Sequence, residues 1–118
     1  AGQIIYVKTK GKKNRAVPIT EKLHSDLPSS RKAELLFKPC YSAFRKAMQR
    51  AGIETPAGQL THVLRHTFAS HFMMNGGNIL VLQRILGHTD IKVTMRYSHF
   101  APDHLSEAML LNPLSRIE

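Results

Sequence analysis

Four residues in the second half of the chain carry side chains suited to phosphate chemistry, and their order and spacing are regular. His62 and Arg65 stand three apart, His88 follows Leu86-Gly87, and Tyr97 comes nine residues after His88. Positions three apart share a helix face, so His62 and Arg65 should project together from one turn. An arginine fork beside an imidazole at a helix N-terminus makes an anion site. A tyrosine phenol is a poor nucleophile at neutral pH. It attacks a phosphodiester only when its proton is removed and the charge on the pentacoordinate phosphorus is stabilised. Arginines and imidazoles do both without a metal.

Each residue also has a plainer reading. A lone His or Arg near a helix start usually caps the helix or covers its surface. A lone Tyr is usually a half-buried core residue with a bonded hydroxyl. His62 and His66 are four apart, as in a zinc-binding helix, but Val63, Leu64 and Arg65 lie between them. The general-base glutamate of that motif is absent, and no metal is expected. His24, His71, His99 and His104 read as surface or packing residues.

The elements that would position these groups follow from the pattern. Ile4 to Val7 and Ala16 to Ile19 are β-branched runs separated by K-T-K-G-K-K-N-R, whose Gly11 and Asn14 are turn residues. They predict an antiparallel hairpin over residues 3–19 with a basic tip, Pro18 lying at an edge or near a strand end. Thr20 caps a short helix through Leu27, stopped by Pro28. Tyr41 to Ala51 has helical apolar spacing at Tyr41, Phe44, Ala47, Met48 and Ala51, with Arg45, Lys46 and Arg50 opposite and Gly52 as its end. Thr61 starts a helix to about Asn75, with Val63, Leu64, Phe68, Phe72 and Met73 as its expected buried stripe and Gly76-Gly77 as its stop. Asn78 caps Ile79 to Leu86, whose Leu82, Ile85 and Leu86 should be core and whose end is Gly87. Thr89 or Asp90 starts a further helix carrying Val93, Arg96 and Tyr97. A last one runs from Asp103 to Leu111, and residues 112–118 have no clear structure. The class is α+β and mainly helical: an N-terminal hairpin followed by a bundle of about six short helices.

Composition bounds what this scaffold meets. At 118 residues the chain holds a single modest core. Its apolar runs fall far short of the roughly 20 residues that span a bilayer. The one cysteine, Cys40, has no internal disulfide partner and reads as a packing residue in a reducing, intracellular setting. Charge says more. Residues 1–50 hold 12 Lys or Arg against 3 Asp or Glu, whereas residues 51–118 hold 5 and 5. So basic a half favours a polyanion, with nucleic acid ahead of an anionic membrane because no basic amphipathic helix of membrane type is visible. A basic surface with no partner is the bland alternative.

The combination is more specific than its parts. H-x-x-R (His62, Arg65), then L-G-H (Leu86 to His88), then Tyr97 resembles the tyrosine recombinase family. The fuller strings L-R-H-T-F-A-S-H-F and L-Q-R-I-L-G-H-T-D-I-K-V-T-M-R-Y-S-H look like the integrases of temperate phages and the chromosome-dimer-resolving recombinases. The family's hairpin lysine, which precedes a V-P-like strand, has its counterpart in K-G-K-K-N-R-A-V-P-I, with Lys10 at the matching place and Lys8, Lys12 and Lys13 close by.

The resemblance covers essentially the whole chain and implies cleavage and rejoining of DNA strands through a 3′-phosphotyrosine, without cofactor or metal. Tyr97 would be the nucleophile, Arg65 and His88 the groups on the non-bridging oxygens, His62 an acid–base support and Lys10 the general acid. Lys12, Lys13, Arg15, Arg45 and Lys46 are the expected phosphate contacts. The implied partners are double-stranded DNA attachment sites, further copies in a tetramer on DNA and accessory DNA-bending proteins, in the cytoplasm of a bacterial host. The apolar run Ala108 to Leu111 either docks on a neighbouring copy or packs on the chain's own core. The family's further arginine, upstream of the hairpin, has no counterpart here. The chain therefore looks like the C-terminal portion of a recombinase catalytic domain: hairpin 3–19, helical part 20–111 and tail 112–118.

Overall fold

A computed structural model describes residues 2–7, 9, 11, 13–28 and 35–117. The two β-branched runs pair as expected. Strand β1 (Gln3–Tyr6) lies antiparallel to β2 (Arg15–Pro18), in the register Gln3↔Pro18, Ile4↔Val17, Ile5↔Ala16 and Tyr6↔Arg15. Pro18, which has no N–H to give a ladder, occupies the last pair of its strand. In the connection between the strands, the Thr9 hydroxyl donates to the Lys13 carbonyl at 2.7 Å. Lys8, Lys10 and Lys12 of the tip lie outside the described residues.

Helix α1 (Glu21–Asp26) begins where Thr20 accepts a bond from the Leu23 N–H at 3.1 Å. This is the N-cap expected from its short hydroxyl side chain. Helix α2 (Tyr41–Arg50) ends at Gly52, whose φ of 66° lies in the left-handed region. Of the five apolar positions expected to face inward on α2, Met48 is buried and Phe44 half-buried. Tyr41, Ala47 and Ala51 are exposed. Cys40 is exposed too, and so is not the packing residue it resembled.

Helix α3 (His62–Met74) is followed by helix α4 (Ile79–Leu86) and helix α5 (Ile91–Met95). Helix α6 (Glu107–Leu111) precedes a 3-10 turn over Pro113–Arg116. The expected last helix starts four residues late, because the Asp103 carboxylate accepts from the Leu105 N–H at 3.2 Å and holds a turn there instead. Residues 113–116, expected to be irregular, are ordered by Asn112, which accepts from the Leu114 N–H at 3.0 Å.

The chain divides into two compact units, Ala1–His66 and Thr67–Glu118, and the division falls within α3. The hydrophobic cluster of the second unit consists of Ala69, Met73, Leu82, Leu86 and Tyr97, with Phe72, Ile79 and Phe100 against it. On α3 this corrects the expected stripe. Leu64 and Phe68 are 58% and 47% exposed, and Ala69 is fully buried in their place. The reason is that α3 has apolar residues around most of its circumference, so its own pattern does not select a face. The position that faces the cluster is taken by the small Ala69. Leu82 and Leu86 are core as expected; Ile85 is half-buried. Met109, Leu110 and Leu111 are exposed, so this run does not pack on the chain's own core.

Candidate functional site

The best-defined part of the site is the turn from α4 into α5. Asn78 caps α4 by accepting from the Leu80 and Val81 N–H groups at 2.8 and 3.4 Å. At the other end Gly87 adopts φ 72°, a left-handed conformation that a side chain makes costly. This reversal sends the next residue back over the helix it has just left. The His88 N–H then donates to the Gln83 carbonyl at 3.1 Å, and the Gln83 side-chain amide donates to the His88 carbonyl at 3.1 Å. Gln83 thus grips the His88 backbone on both sides.

The imidazole is held separately. His88 Nδ1 lies 2.7 Å from the Thr94 hydroxyl, and Thr94 is completely buried. Asp90 brings Thr94 there by capping α5, its carboxylate accepting from the Lys92 N–H at 2.9 Å. Among the described residues Nδ1 is the partner of that hydroxyl. Were the Thr94 oxygen to accept, its own O–H would be sealed from water without an acceptor, at a cost of about 1–3 kcal/mol. Donation by Thr94 avoids this and favours Nδ1 as the acceptor, with the ring N–H on Nε2.

Helix α5 stops at Met95, and Tyr97 follows it rather than standing within it as the sequence pattern suggested. The chain tightens at this point: the Tyr97 N–H donates to the Thr94 carbonyl at 3.0 Å, and the Phe100 N–H to the Tyr97 carbonyl at 3.1 Å. The residue paired in depth with Tyr97 is therefore Thr94, three positions back, and not Val93, which is exposed. Tyr97 is 5% exposed and belongs to the hydrophobic cluster. Arg96 is exposed. His88 and Tyr97 are thus tied to one buried threonine, the first through its hydroxyl and the second through its carbonyl. Sequence reading passed over both Thr94 and Gln83. A threonine three residues before a candidate nucleophile, and a glutamine in the last turn before Gly-His, were the available signals.

His62 and Arg65 occupy the first turn of α3 and belong to the first unit; His62 is exposed and Arg65 half-buried. Lys10 and Lys12 lie outside the described residues. Of the expected phosphate contacts, Lys13, Arg45 and Lys46 are exposed. Arg15 is half-buried and lies across the hairpin, with its guanidinium carbon 4.5 Å from the centre of the Tyr6 ring and its Nε enclosed without a hydrogen-bond partner among the described residues. Stacking of this kind contributes about 0.5–1 kcal/mol at a partly exposed site and fixes the guanidinium plane. Among the described residues no group of three His, Cys, Asp or Glu is placed to hold a metal ion, and no helix is long and apolar enough to cross a membrane.

Comparison with known proteins gives these features a family. Residues 1–104 match the phage integrase family, and the chain belongs to it. It is 70% identical over 115 residues to the integrase of Escherichia phage 186, covering 98% of this chain and 34% of that protein. Over 113 residues it is 61% identical to the integrase of Haemophilus phage HP1, covering 96% of this chain and 33% of the relative. A more distant relative is the tyrosine recombinase XerD of Rickettsia bellii, 37% identical over 89 residues, or 75% of this chain and 29% of XerD. The chain therefore spans about a third of the length of the integrases it matches. Among solved structures, the catalytic domain of bacteriophage HP1 integrase superposes with a TM-score of 0.90 at 59% identity, covering 98% of this chain and 68% of that one. The fold expected from the sequence, a hairpin leading into about six short helices, is the one observed, and it matches that domain over the part superposed.

Proposed function

We propose that this chain is the C-terminal part of the catalytic domain of a site-specific recombinase, which cuts and rejoins DNA through a covalent 3′-phosphotyrosine. The observation that carries the reading is the match of 98% of this chain, at 59% identity, to 68% of a solved integrase catalytic domain. Within this chain the order His62, Arg65, His88, Tyr97 adds the groups that such chemistry requires.

In the proposed reaction the Tyr97 phenol loses its proton and its oxygen attacks the scissile phosphorus. The bond from phosphorus to the 5′-oxygen breaks as the tyrosyl bond forms. Arg65 and His88 donate to the non-bridging oxygens and favour the trigonal-bipyramidal transition state. His62 supports the proton transfers, and Lys10 gives a proton to the leaving 5′-oxygen. The phosphodiester energy is kept in the phosphotyrosine, so the 5′-hydroxyl of a second strand can reverse the step without ATP. The substrate is double-stranded DNA at attachment sites, worked on by a tetramer with accessory DNA-bending proteins, in the cytoplasm of a bacterial host. The exposed Met109, Leu110 and Leu111 support docking of the C-terminal segment on a neighbouring copy.

The test is covalent capture: full-length protein, a DNA site nicked so that the released fragment diffuses away, and a denaturing gel run with and without EDTA. The reading predicts an EDTA-insensitive protein–DNA adduct. An adduct that needs a divalent metal would favour metal-dependent cleavage instead. Recombination between two defined sites, rather than relaxation of supercoils alone, separates a recombinase from a topoisomerase using the same phosphotyrosine.

Two narrower outcomes follow. A 5′-bridging phosphorothiolate has a leaving sulfur that needs no acid, so Lys10→Ala should be slow on normal DNA and close to the parent rate on the thiolate. Equal defects on both substrates would remove Lys10 from the role of general acid. Lys12, Lys13, Arg15, Arg45 and Lys46 are proposed as phosphate contacts. In that case log K for DNA should fall linearly with log salt, by about 0.9 for each phosphate neutralised. A flat salt dependence would contradict the phosphate contacts as a group.

A further inference from the structure

We infer that Thr94 is a positioning residue for the reaction: its buried hydroxyl fixes His88 in the tautomer and orientation in which Nε2 carries the proton. This rests on the reading of His88 as a phosphate-stabilising group. A neutral imidazole has one N–H to give, and a non-bridging phosphate oxygen is an acceptor. If the proton sat on Nδ1, Nε2 would present a lone pair to a negatively charged oxygen and repel it. The tautomer therefore decides whether His88 assists or opposes the transition state.

Three features make Thr94 the residue that sets it. Its hydroxyl is 2.7 Å from Nδ1 and cannot turn to water, because the residue is completely buried. Its place in space is fixed by the Asp90 cap at one end of α5 and by the turn to Tyr97 at the other. The His88 backbone is clamped separately by Gln83, so the bond from Thr94 acts on the ring itself. Because the Thr94 carbonyl also receives the Tyr97 N–H, one residue sets both the direction of the imidazole and the start of the turn that carries the nucleophile. Serine would keep the hydroxyl and lose the methyl. Valine would keep the shape and lose the hydrogen bond.

The experiment measures single-turnover covalent capture of nicked DNA by full-length protein carrying Thr94→Val or Thr94→Ser, each with His88 intact and with His88→Ala. Removing the hydrogen-bond partner that orients a metal-binding histidine costs about 10–100-fold, and the same order is taken for His88. Thr94→Val is expected to slow capture by about that factor, and Thr94→Ser to restore most of it. In the His88→Ala background Thr94→Val should cost nothing further, since contacts acting through one group are not additive. Unchanged capture by Thr94→Val, or the same loss with and without His88, would overturn the proposal. Nitrogen-15 spectra of the unsubstituted protein test it without any variant. The His88 ring should show a protonated Nε2 and an unprotonated Nδ1, and the reverse pattern would overturn it. Tyr97→Phe run alongside separates the two levels: if that variant still captures DNA, the phosphotyrosine reading itself fails, whatever Thr94 does.

Discussion

Full-length protein carrying Tyr97→Phe is expected to form no covalent adduct with nicked DNA while still folding and binding the site. The change removes one oxygen and leaves the ring among Ala69, Met73, Leu82 and Leu86, so the packing of the second unit is kept. Burial to 5% exposure is also what a purely structural tyrosine would show. The phenylalanine variant distinguishes the two roles because it alters chemistry and spares shape. A packing tyrosine would give a variant that captures DNA at the parent rate and melts slightly lower. A nucleophile gives a variant with the parent melting temperature, within the loss of one hydroxyl's bonding, and no adduct at any time point. Binding measured by gel shift on the same DNA completes the comparison, since lost capture with retained binding places the defect in the chemical step.

Arg65→Ala is expected to lower the rate of capture by about 10²–10³, the usual cost of removing one donor aimed at a developing oxyanion. Arg65→Lys should recover only part of this. Lysine keeps the charge but cannot give two parallel N–H bonds in the plane of a phosphate edge. Half-burial on the first turn of α3 fits such a role better than a fully solvated side chain would, because a guanidinium shielded from water is screened less. Single-turnover rates at saturating DNA are the measurement. If Arg65→Ala weakens DNA affinity yet leaves the saturated rate unchanged, Arg65 binds the ground state and does not stabilise the transition state.

Much of the scaffold was legible in the sequence because local chemistry set it. The hairpin follows from two β-branched runs around a turn. Thr20, Asn78 and Asp90 cap the helices that their short polar side chains announce, and Gly87 reverses the chain as expected of a left-handed C-cap. Where tertiary packing decides, the sequence was less readable. Helix α3 carries more apolar residues than one face can bury, and the choice of Ala69 and Met73 over Leu64 and Phe68 depends on what packs against it. Helix α5 has five residues, too few for periodicity to separate Val93 from Thr94 as the inward position. Thr94 stood out only once its hydroxyl lay beside His88. Cys40 read as a packing residue on type alone and is exposed. Among the proposed site residues, His62, Arg65, His88 and Tyr97 stand out in the sequence because their types and spacing are unusual in combination. The residues bonded to His88, Gln83 and Thr94, are of types that most helices contain.

The most direct measurement is to locate the DNA on the protein. Of the three tyrosines in the sequence, Tyr97 follows Arg96, so trypsin should release it at the start of the peptide that ends at Arg116. After capture of nicked DNA and nuclease trimming, mass spectrometry should find the residual nucleotide phosphate on Tyr97 in that peptide. A nucleotide on Tyr6, on Tyr41 or on any residue other than Tyr97, or capture that leaves no protein-linked nucleotide, would contradict the account.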